Sequence, residues 1–352
     1  MTKELGHIPV NIITGFLGSG KTTLLQRLLN SDEFADTAVL INEFGEVGLD
    51  HHLLEEIDEN TLLLQSGCIC CTIRGDLKDA IRDLYSRRER GEIPAFRRLV
   101  VETTGLADPA PILATITSEP VIRHHFRLGN VITTVDAVNV VMQLRRQPES
   151  VKQVAVADRI VLTKTDLAKP DVVKKARDAV RRVNPAAPLI ESANAPVDPS
   201  LLLAHDIHDD SHKLAEVARW LEATRHDDHH ERPHRHDANR HDARITAFAL
   251  VFERPMDWTA FGIWLTMLLQ SRGEDVLRVK GILNVVGVPT PVVIHGVQHI
   301  VHPPVHMKKW PDDDKRSRIV FIVRDISKEE IANSLSAFNR LARDLDRNHD
   351  AA

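Results

Sequence analysis

The sequence predicts an α/β fold, with a mostly parallel sheet in a first domain followed by a smaller α+β C-terminal domain. Three observations carry this prediction. Short apolar runs rich in Val, Ile, Leu and Thr alternate with helical stretches from Ile8 to about Ser192, the pattern of strand–helix–strand crossovers. A glycine-rich segment joins the first of these runs to the first helical stretch. After Glu191 the composition changes, and from Arg244 a second set of elements begins in a different order.

In chain order, HIPVNIIT, TAVLINEF, FRRLVVETT, NVITTVDAV, DRIVLTKTD and APLIES read as buried strands bounded by Gly, Pro or Asp. KTTLLQRLLN, RGDLKDAIRDLYSRRER and DVVKKARDAVRRV read as the helices between them. TLLLQ reads as a further strand, followed by GCICC and then by a helix starting near Arg74. Residues 1–193 are thereby assigned to the first domain. Residues 194–243 are assigned to a linker, with an amphipathic segment at Lys213–Ala223 and then the polar tract RHDDHHERPHRHDANRHD, which has too few apolar residues to bury a core. Residues 244–352 form the second unit: the strand ITAFALVFERP, a helix capped by Asp257, the strands VLRVKGILNVVG, TPVVIHGVQHIV and SRIVFIVRD, and a closing helix capped by Ser327.

The bulk numbers narrow the function classes. The 352 residues suffice for two domains, and 43% apolar with 27% charged residues is a globular balance. Lys and Arg number 45 against 50 Asp and Glu, a net charge of −5, which gives no field for nucleic acid or anionic lipid. The start MTKELGHIPV lacks the apolar core of a secretory leader, and no apolar run reaches the ~18 residues of a membrane span. The expectation is a cytoplasmic protein with no membrane or nucleic-acid partner. All three cysteines, Cys68, Cys70 and Cys71, lie within Gly67–Cys71. Adjacent Cys70 and Cys71 are poor disulfide partners, so the thiols are expected to be reduced.

TGFLGSGKTT places Gly15-x4-Gly20-Lys21-Thr22 between a strand and a helix, the context of a P-loop. Gly15, Gly18, Ser19, Gly20, Lys21, Thr22 and Thr23 are the expected phosphate-binding residues. Backbone N–H groups and the helix N-terminus cradle the phosphates, Lys21 reaches the β- and γ-phosphates, and the Thr22 hydroxyl ligates Mg²⁺. In VVETTG, Glu102 takes the place of a strand-end carboxylate that orients Mg²⁺, and the Gly105 N–H faces a γ-phosphate. Lys21, Thr22 and Glu102 are thus the catalytic candidates. IVLTKTD supplies Thr163, Lys164 and Asp166. A carboxylate there accepts both N1–H and the 2-amino group of guanine, while the Lys164 stem covers the base. The more usual first residue of that motif is Asn.

GCICC is the candidate metal site. In an extended stretch Cys68 and Cys70 share a face, and a turn after Cys70 would bring Cys71 to the same ion. Thiolates are soft ligands suited to Zn²⁺; small buried cysteines or a redox pair are the alternatives.

GFLGSGKTT, INEFGEVGLD, GCICC, ETTGLADP and TKTD, in this order, resemble the CobW-type GTPase metallochaperones over nearly the whole chain. The resemblance implies a P-loop GTPase domain that hydrolyses GTP, with a metal site around Cys68, Cys70 and Cys71. It also implies carboxylates near that site at Glu43 and Glu46, Glu46 being the favoured ligand. The position before NEFGE, acidic in some relatives, is Ile41 here. GTP, Mg²⁺ and Zn²⁺ are the expected cofactors, with Co²⁺ for cobalamin assembly as an alternative, and a client metalloprotein or a homodimer as partner. GTP is expected to fix the NEFGE segment and the thiols in a metal-competent arrangement that hydrolysis relaxes. A metal buffer with a vestigial nucleotide site and a small-molecule kinase are the other readings. His226, His229, His230, His234, His236 and His241 either capture ions weakly or belong to a solvated linker. His295, His299 and His302 are expected to be satisfied strand-face histidines.

Overall fold

The computed structural model describes residues 7–29, 31, 34–41, 54–58, 61–64, 69–72, 76–192, 197–203, 217 and 245–349. The chain divides into two compact units, residues 1–180 with 187–206, and residues 207–352 with 181–186.

The first unit is built on a nine-stranded sheet. Its strands are β1 (Ile8–Gly15), β2 (Thr37–Ile41), β3 (Leu54–Asp58), β4 (Thr61–Leu64), β5 (Ile69–Thr72), β6 (Arg98–Glu102), β7 (Phe126–Asp136), β8 (Arg159–Thr163) and β9 (Leu189–Ser192). The spatial order is β3-β4-β5-β2-β6-β1-β7-β8-β9. Every pair from β5 to β9 is parallel, and β3-β4 and β4-β5 are antiparallel. The expected mostly parallel α/β sheet is therefore present. Continuous burial along β2 and β8 explains why these strands read as unbroken apolar runs: both faces are covered.

Helix α1 (Lys21–Leu29) turns Leu24, Leu25, Leu28 and Leu29 inward. They pack on Ile13, Val39, Val100, Ile132 and Val161 of the sheet. Each fully buried leucine contributes ~1.5–3 kcal/mol relative to exposure. α2 (Leu77–Glu89) is capped by Asp76, whose carboxylate accepts from the Lys78 N–H at 2.9 Å, and its first residue, Leu77, lies three positions after the expected start near Arg74. Four helices lie between β6 and β8: α3 (Pro109–Ser118), α4 (Pro120–His125), α5 (Val140–Arg146) and α6 (Pro148–Val156). Three of them start with proline, whose missing N–H costs nothing in a first turn. α6 contacts β1 and β7. α7 (Pro170–Val183) precedes β9, and α8 (Pro199–Leu203) joins the core on the α1 side through Leu202 and Leu203.

The second unit holds β10 (Ile245–Phe252), α9 (Trp258–Arg272), β11 (Val276–Leu283), β12 (Val292–Val297), β13 (Ile300–Val301), β14 (Val305–His306), β15 (Ser317–Arg324) and α10 (Lys328–His349). Its sheet is antiparallel in the order β10-β15-β11-β12-β13, with β14 also on β12. The run TPVVIHGVQHIV, expected to be one strand, is two. Gln298 sits at φ 49° and folds β12 back on β13, and Pro303 and Pro304 then separate β13 from β14. Both expected caps form. Asp257 accepts from the Ala260 N–H at 2.7 Å. Ser327 and Glu330 exchange reciprocal bonds of 2.7 and 3.1 Å, a capping box. His299 is satisfied as expected, its Nδ1 lying 2.8 Å from the Leu269 carbonyl oxygen. Among the described residues no helix is long and apolar enough to cross a membrane.

Candidate nucleotide site and the thiol strand

The site lies where the parallel strands β6, β1, β7 and β8 end. Between β1 and α1 the chain reverses within a few residues. Gly15, Gly18 and Gly20 take φ of 144°, 70° and 93°, values that residues with a Cβ rarely adopt. Gly15 is also hemmed in. A Cβ there would lie 2.7 Å from Ser19 Oγ and nearer still to the Thr134 carbonyl and hydroxyl oxygens. The Ser19 N–H donates to the Phe16 carbonyl at 3.1 Å, and the buried Ser19 hydroxyl bonds that of Thr134 at 2.7 Å. Lys21 Nζ donates to the carbonyls of Gly15 at 3.0 Å and Phe16 at 3.4 Å, so the ammonium arches over its own loop. Thr23 is exposed on the first turn of α1.

β6 delivers Glu102 to this loop. The Thr22 hydroxyl donates to Glu102 Oε1 at 2.8 Å, although the two residues are eighty positions apart. Glu102 is 5% exposed. The Thr103 N–H donates to the Ile13 carbonyl at 3.0 Å, and the Thr103 hydroxyl donates to that of Thr14 at 2.9 Å. Gly105 follows, pressed against the P-loop: a Cβ there would lie 2.8 Å from Leu17 N and Cα. Two oxygen donors at one point beside a phosphate-binding loop fit Mg²⁺, a hard cation that takes oxygen ligands.

β8 delivers the third segment. The buried Thr163 hydroxyl donates to the Ser19 carbonyl at 2.7 Å and also approaches the Val135 carbonyl at 3.1 Å. Lys164 is left-handed, with φ 56°. Its ammonium donates to Asp136 Oδ2 at 2.9 Å. Asp136, at the end of β7 and buried, also accepts from Asn139 Nδ2 and the Val138 N–H. Burial alone would raise its pKa; the bonds from Lys164, Asn139 and Val138 outweigh it and hold the carboxyl below the ordinary aspartate value. Asp166 is exposed on a single 3₁₀ turn, Thr165–Leu167. The described phosphate, Mg²⁺ and base candidates thus converge on one end of the sheet. Sequence reasoning missed Thr134 and Asp136. The signal for Asp136 was available, since it is a carboxylate ending a buried strand, as Glu102 is.

The thiol segment departs from expectation. Cys70 and Cys71 both belong to β5. Cys70 registers with Val39 of β2 and Leu62 of β4, Cys71 with Leu40 and Thr61. The strand continues to Thr72, so the expected turn after Cys70 is absent: pairing on both sides keeps the backbone extended there. Cys68, Glu43, Glu46 and the histidines of the 225–242 tract lie outside the described residues. Among the described residues no group of three or more His, Cys, Asp or Glu is placed to hold a metal ion. The strand register nevertheless relates β5 to the nucleotide site. One row runs Thr72–Ile41–Glu102–Ile13 across β5, β2, β6 and β1. Two strand spacings of ~4.8 Å separate β5 from β6.

The comparisons agree with this fold. Residues 9–191 match the CobW/HypB/UreG nucleotide-binding domain, and residues 245–339 match the Cobalamin synthesis protein cobW C-terminal domain. The zinc chaperone YjiA of Escherichia coli is 33% identical, over 96% of this chain and all of that one. The zinc chaperone CobW of Pseudomonas aeruginosa is 30% identical, over 95% of this chain and 92% of its own. The crystal structure of zinc-bound YjiA GTPase from E. coli aligns with a TM-score of 0.73 at 31% identity, covering 95% of this chain and 99% of that one. With both domains matched in order, the chain belongs to the CobW/HypB/UreG family and carries the cobW C-terminal domain.

Proposed function

We propose that this protein is a GTP-hydrolysing metallochaperone that binds zinc at Cys68, Cys70 and Cys71, with Glu46 and Glu43 as carboxylate candidates, and hands it to a client metalloprotein. The nucleotide half rests on the convergence of Gly15–Thr23, Glu102, Gly105 and Thr163–Asp166 at one end of the sheet. The names of the relatives, a zinc chaperone and a zinc-bound GTPase, support the choice of activity and cargo.

In this reading Lys21 leaves the Gly15 and Phe16 carbonyls for phosphate oxygens. Thr22 and Glu102 would hold Mg²⁺, which when bound neutralises charge on the β- and γ-phosphates. The Gly105 N–H meets the γ-phosphate, and Asp166 accepts from guanine. Lys164, already fixed by Asp136, lies along the base.

The single observation that carries the coupling of the two halves is the row Thr72–Ile41–Glu102. The strand bearing Cys70 and Cys71 is bonded to β2, and β2 to the strand that ends in Glu102. A change at Glu102 on loss of the γ-phosphate therefore reaches β5 through continuous hydrogen-bonded strands. Coupling of this kind is reciprocal, so zinc must also tighten GTP binding. The test is zinc affinity of one preparation with a non-hydrolysable GTP analogue and with GDP. A higher affinity with the analogue is expected, and equal affinities would remove the switch.

A further inference from the structure

We infer that Gln153 is the positioning residue for the Gly105 loop and sets how well the site tells GTP from GDP; this rests on the nucleotide reading above. Gln153 lies on α6 and is 1% exposed. Its Nε2 donates to the carbonyls of Gly105 at 3.1 Å and Ala107 at 3.0 Å. Both partners can only accept, so the amide nitrogen must face them. That orientation turns Oε1 away, where among the described residues it is buried with no hydrogen-bond partner. The arrangement thus leaves one buried acceptor unmade for the sake of two bonds to this one loop.

The helix that carries the amide is itself held. The Thr133 hydroxyl of β7 donates to the Gln153 backbone carbonyl at 2.8 Å, which fixes α6 to the sheet. Beside it, Lys152 pairs with Asp108 at 2.6 Å, a second tie from α6 to the same loop. On its other side Gly105 abuts Leu17 of the P-loop, with no room for a side chain. Gly105 is therefore gripped between the P-loop and the Gln153 amide. The grip settles the loop before nucleotide arrives, so an N–H aimed at a γ-phosphate need not be ordered at the moment of binding. GDP has no γ-phosphate and gains nothing from it.

Gln153→Leu keeps the volume and removes both donors together with the unpartnered acceptor. Gln153→Met, unbranched and of similar length, does the same with a more adaptable side chain should the first variant fail to fold. Affinities for GDP and for a non-hydrolysable GTP analogue are measured on the full chain. The analogue should weaken about five- to tenfold, as for one net hydrogen bond, with GDP affinity unchanged. An equal fall for both nucleotides would mean a merely structural residue, and no change for either would overturn the inference. A wild-type chain that binds no GTP would instead strike the functional reading. The grip is then judged by amide hydrogen exchange over residues 103–109 without nucleotide. Faster exchange in the variants supports it, and wild-type rates overturn it.

Discussion

The Thr163 hydroxyl donates to the Ser19 carbonyl at 2.7 Å, tying the loop at the end of β8 to the glycine-rich loop after β1. The first position of the TKTD motif thus has a task independent of the base: it bridges the two loops that, in the proposed function, grip opposite ends of one nucleotide. A buried bond of this kind contributes ~1 kcal/mol net, and stranding its acceptor costs ~1–3 kcal/mol. Thr163→Val, close in shape, should therefore weaken GTP and GDP alike by about tenfold in equilibrium titration. Thr163→Asn, whose amide also donates, should stay within about threefold of wild type. A Thr163→Val variant that binds as wild type would show that the bridge carries no load.

Gly15→Ala should abolish nucleotide binding and lower stability. The new methyl would meet Thr134 and Ser19 in a buried corner, at φ 144°. Backbone strain alone costs ~1–3 kcal/mol, and relief requires shifting β7, which pairs with β1 at Gly15–Thr134. Gly18→Ala is the control. Gly18 is also left-handed, but a Cβ there meets nothing within 4 Å, so it should keep part of the binding. Equal losses in the two variants would assign the effect to backbone conformation and not to the Thr134 contact.

These two residues show what the sequence made legible. The P-loop, ETTG and TKTD segments are local patterns, each following an apolar strand, so their chemistry could be read without knowing the sheet order. Asp136 ends such a strand as well and could have been read in the same way, whereas Thr134 and Gln153 carry no such pattern. Thr134 reaches Ser19 only because β7 lies beside β1 although 110 residues separate the end of β1 from the start of β7, and Gln153 reaches Gly105 only because α6 packs under both strands. The β12–β13 turn was missed because Gln298, a residue with no turn preference, takes the left-handed conformation. The strand at Cys70–Cys71 was misread as a turn because tertiary pairing to β2 and β4 decides its backbone.

Asp136 predicts acid sensitivity in the loop after β8 that carries Lys164. Its carboxyl is held below the ordinary value, burial being outweighed by the bonds from Lys164, Asn139 and Val138. The stability it contributes is complete above the unfolded value near 3.9 and is lost as pH falls through the lower folded value. Asp136→Asn should be less stable than wild type at neutral pH, and the gap should close below about pH 4. Urea midpoints at several pH values measure this. A gap that is constant down to the acid limit would show that the charge on Asp136 is not what holds Lys164.

The second unit has its own cluster of Arg and Asp side chains, with an acid-labile member in Asp314. Arg318 is 4% exposed and meets both Asp312 oxygens at 2.9 Å, with Asp314 beside it. The Asp314 carboxyl is drawn down to about 2, chiefly by its bond from Arg316 and against partial burial. Its stabilisation is present above the ordinary value of 3.8 and is lost as pH falls toward 2. Asp312→Ala takes two carboxylate bonds from a buried guanidinium, leaving it Asp314 at 3.5 Å, and should cost ~3 kcal/mol. Arg318→Met, which removes the charge instead, should cost less. The reverse order in thermal or urea unfolding would mean that Arg318 matters for packing more than for its charge.

Glu102 separates binding from turnover. Gln at this position keeps the size and the carbonyl oxygen that accepts from Thr22 at 2.8 Å, so the fold and the P-loop geometry should survive. What goes is the negative charge beside the phosphates, which in the proposed mechanism holds Mg²⁺ with Thr22. Glu102→Gln should therefore bind GDP within a few-fold of wild type, need more Mg²⁺ for tight binding of a GTP analogue, and turn over GTP about a hundredfold more slowly, the scale of losing one preorganised electrostatic contact. Because Glu102 shares the row Thr72–Ile41–Glu102 with the thiol strand, the same variant should also flatten the difference in zinc affinity between analogue and GDP. Lost turnover with an intact zinc difference would place the link between the sites elsewhere than β6, and unchanged turnover would remove Glu102 from the catalytic set.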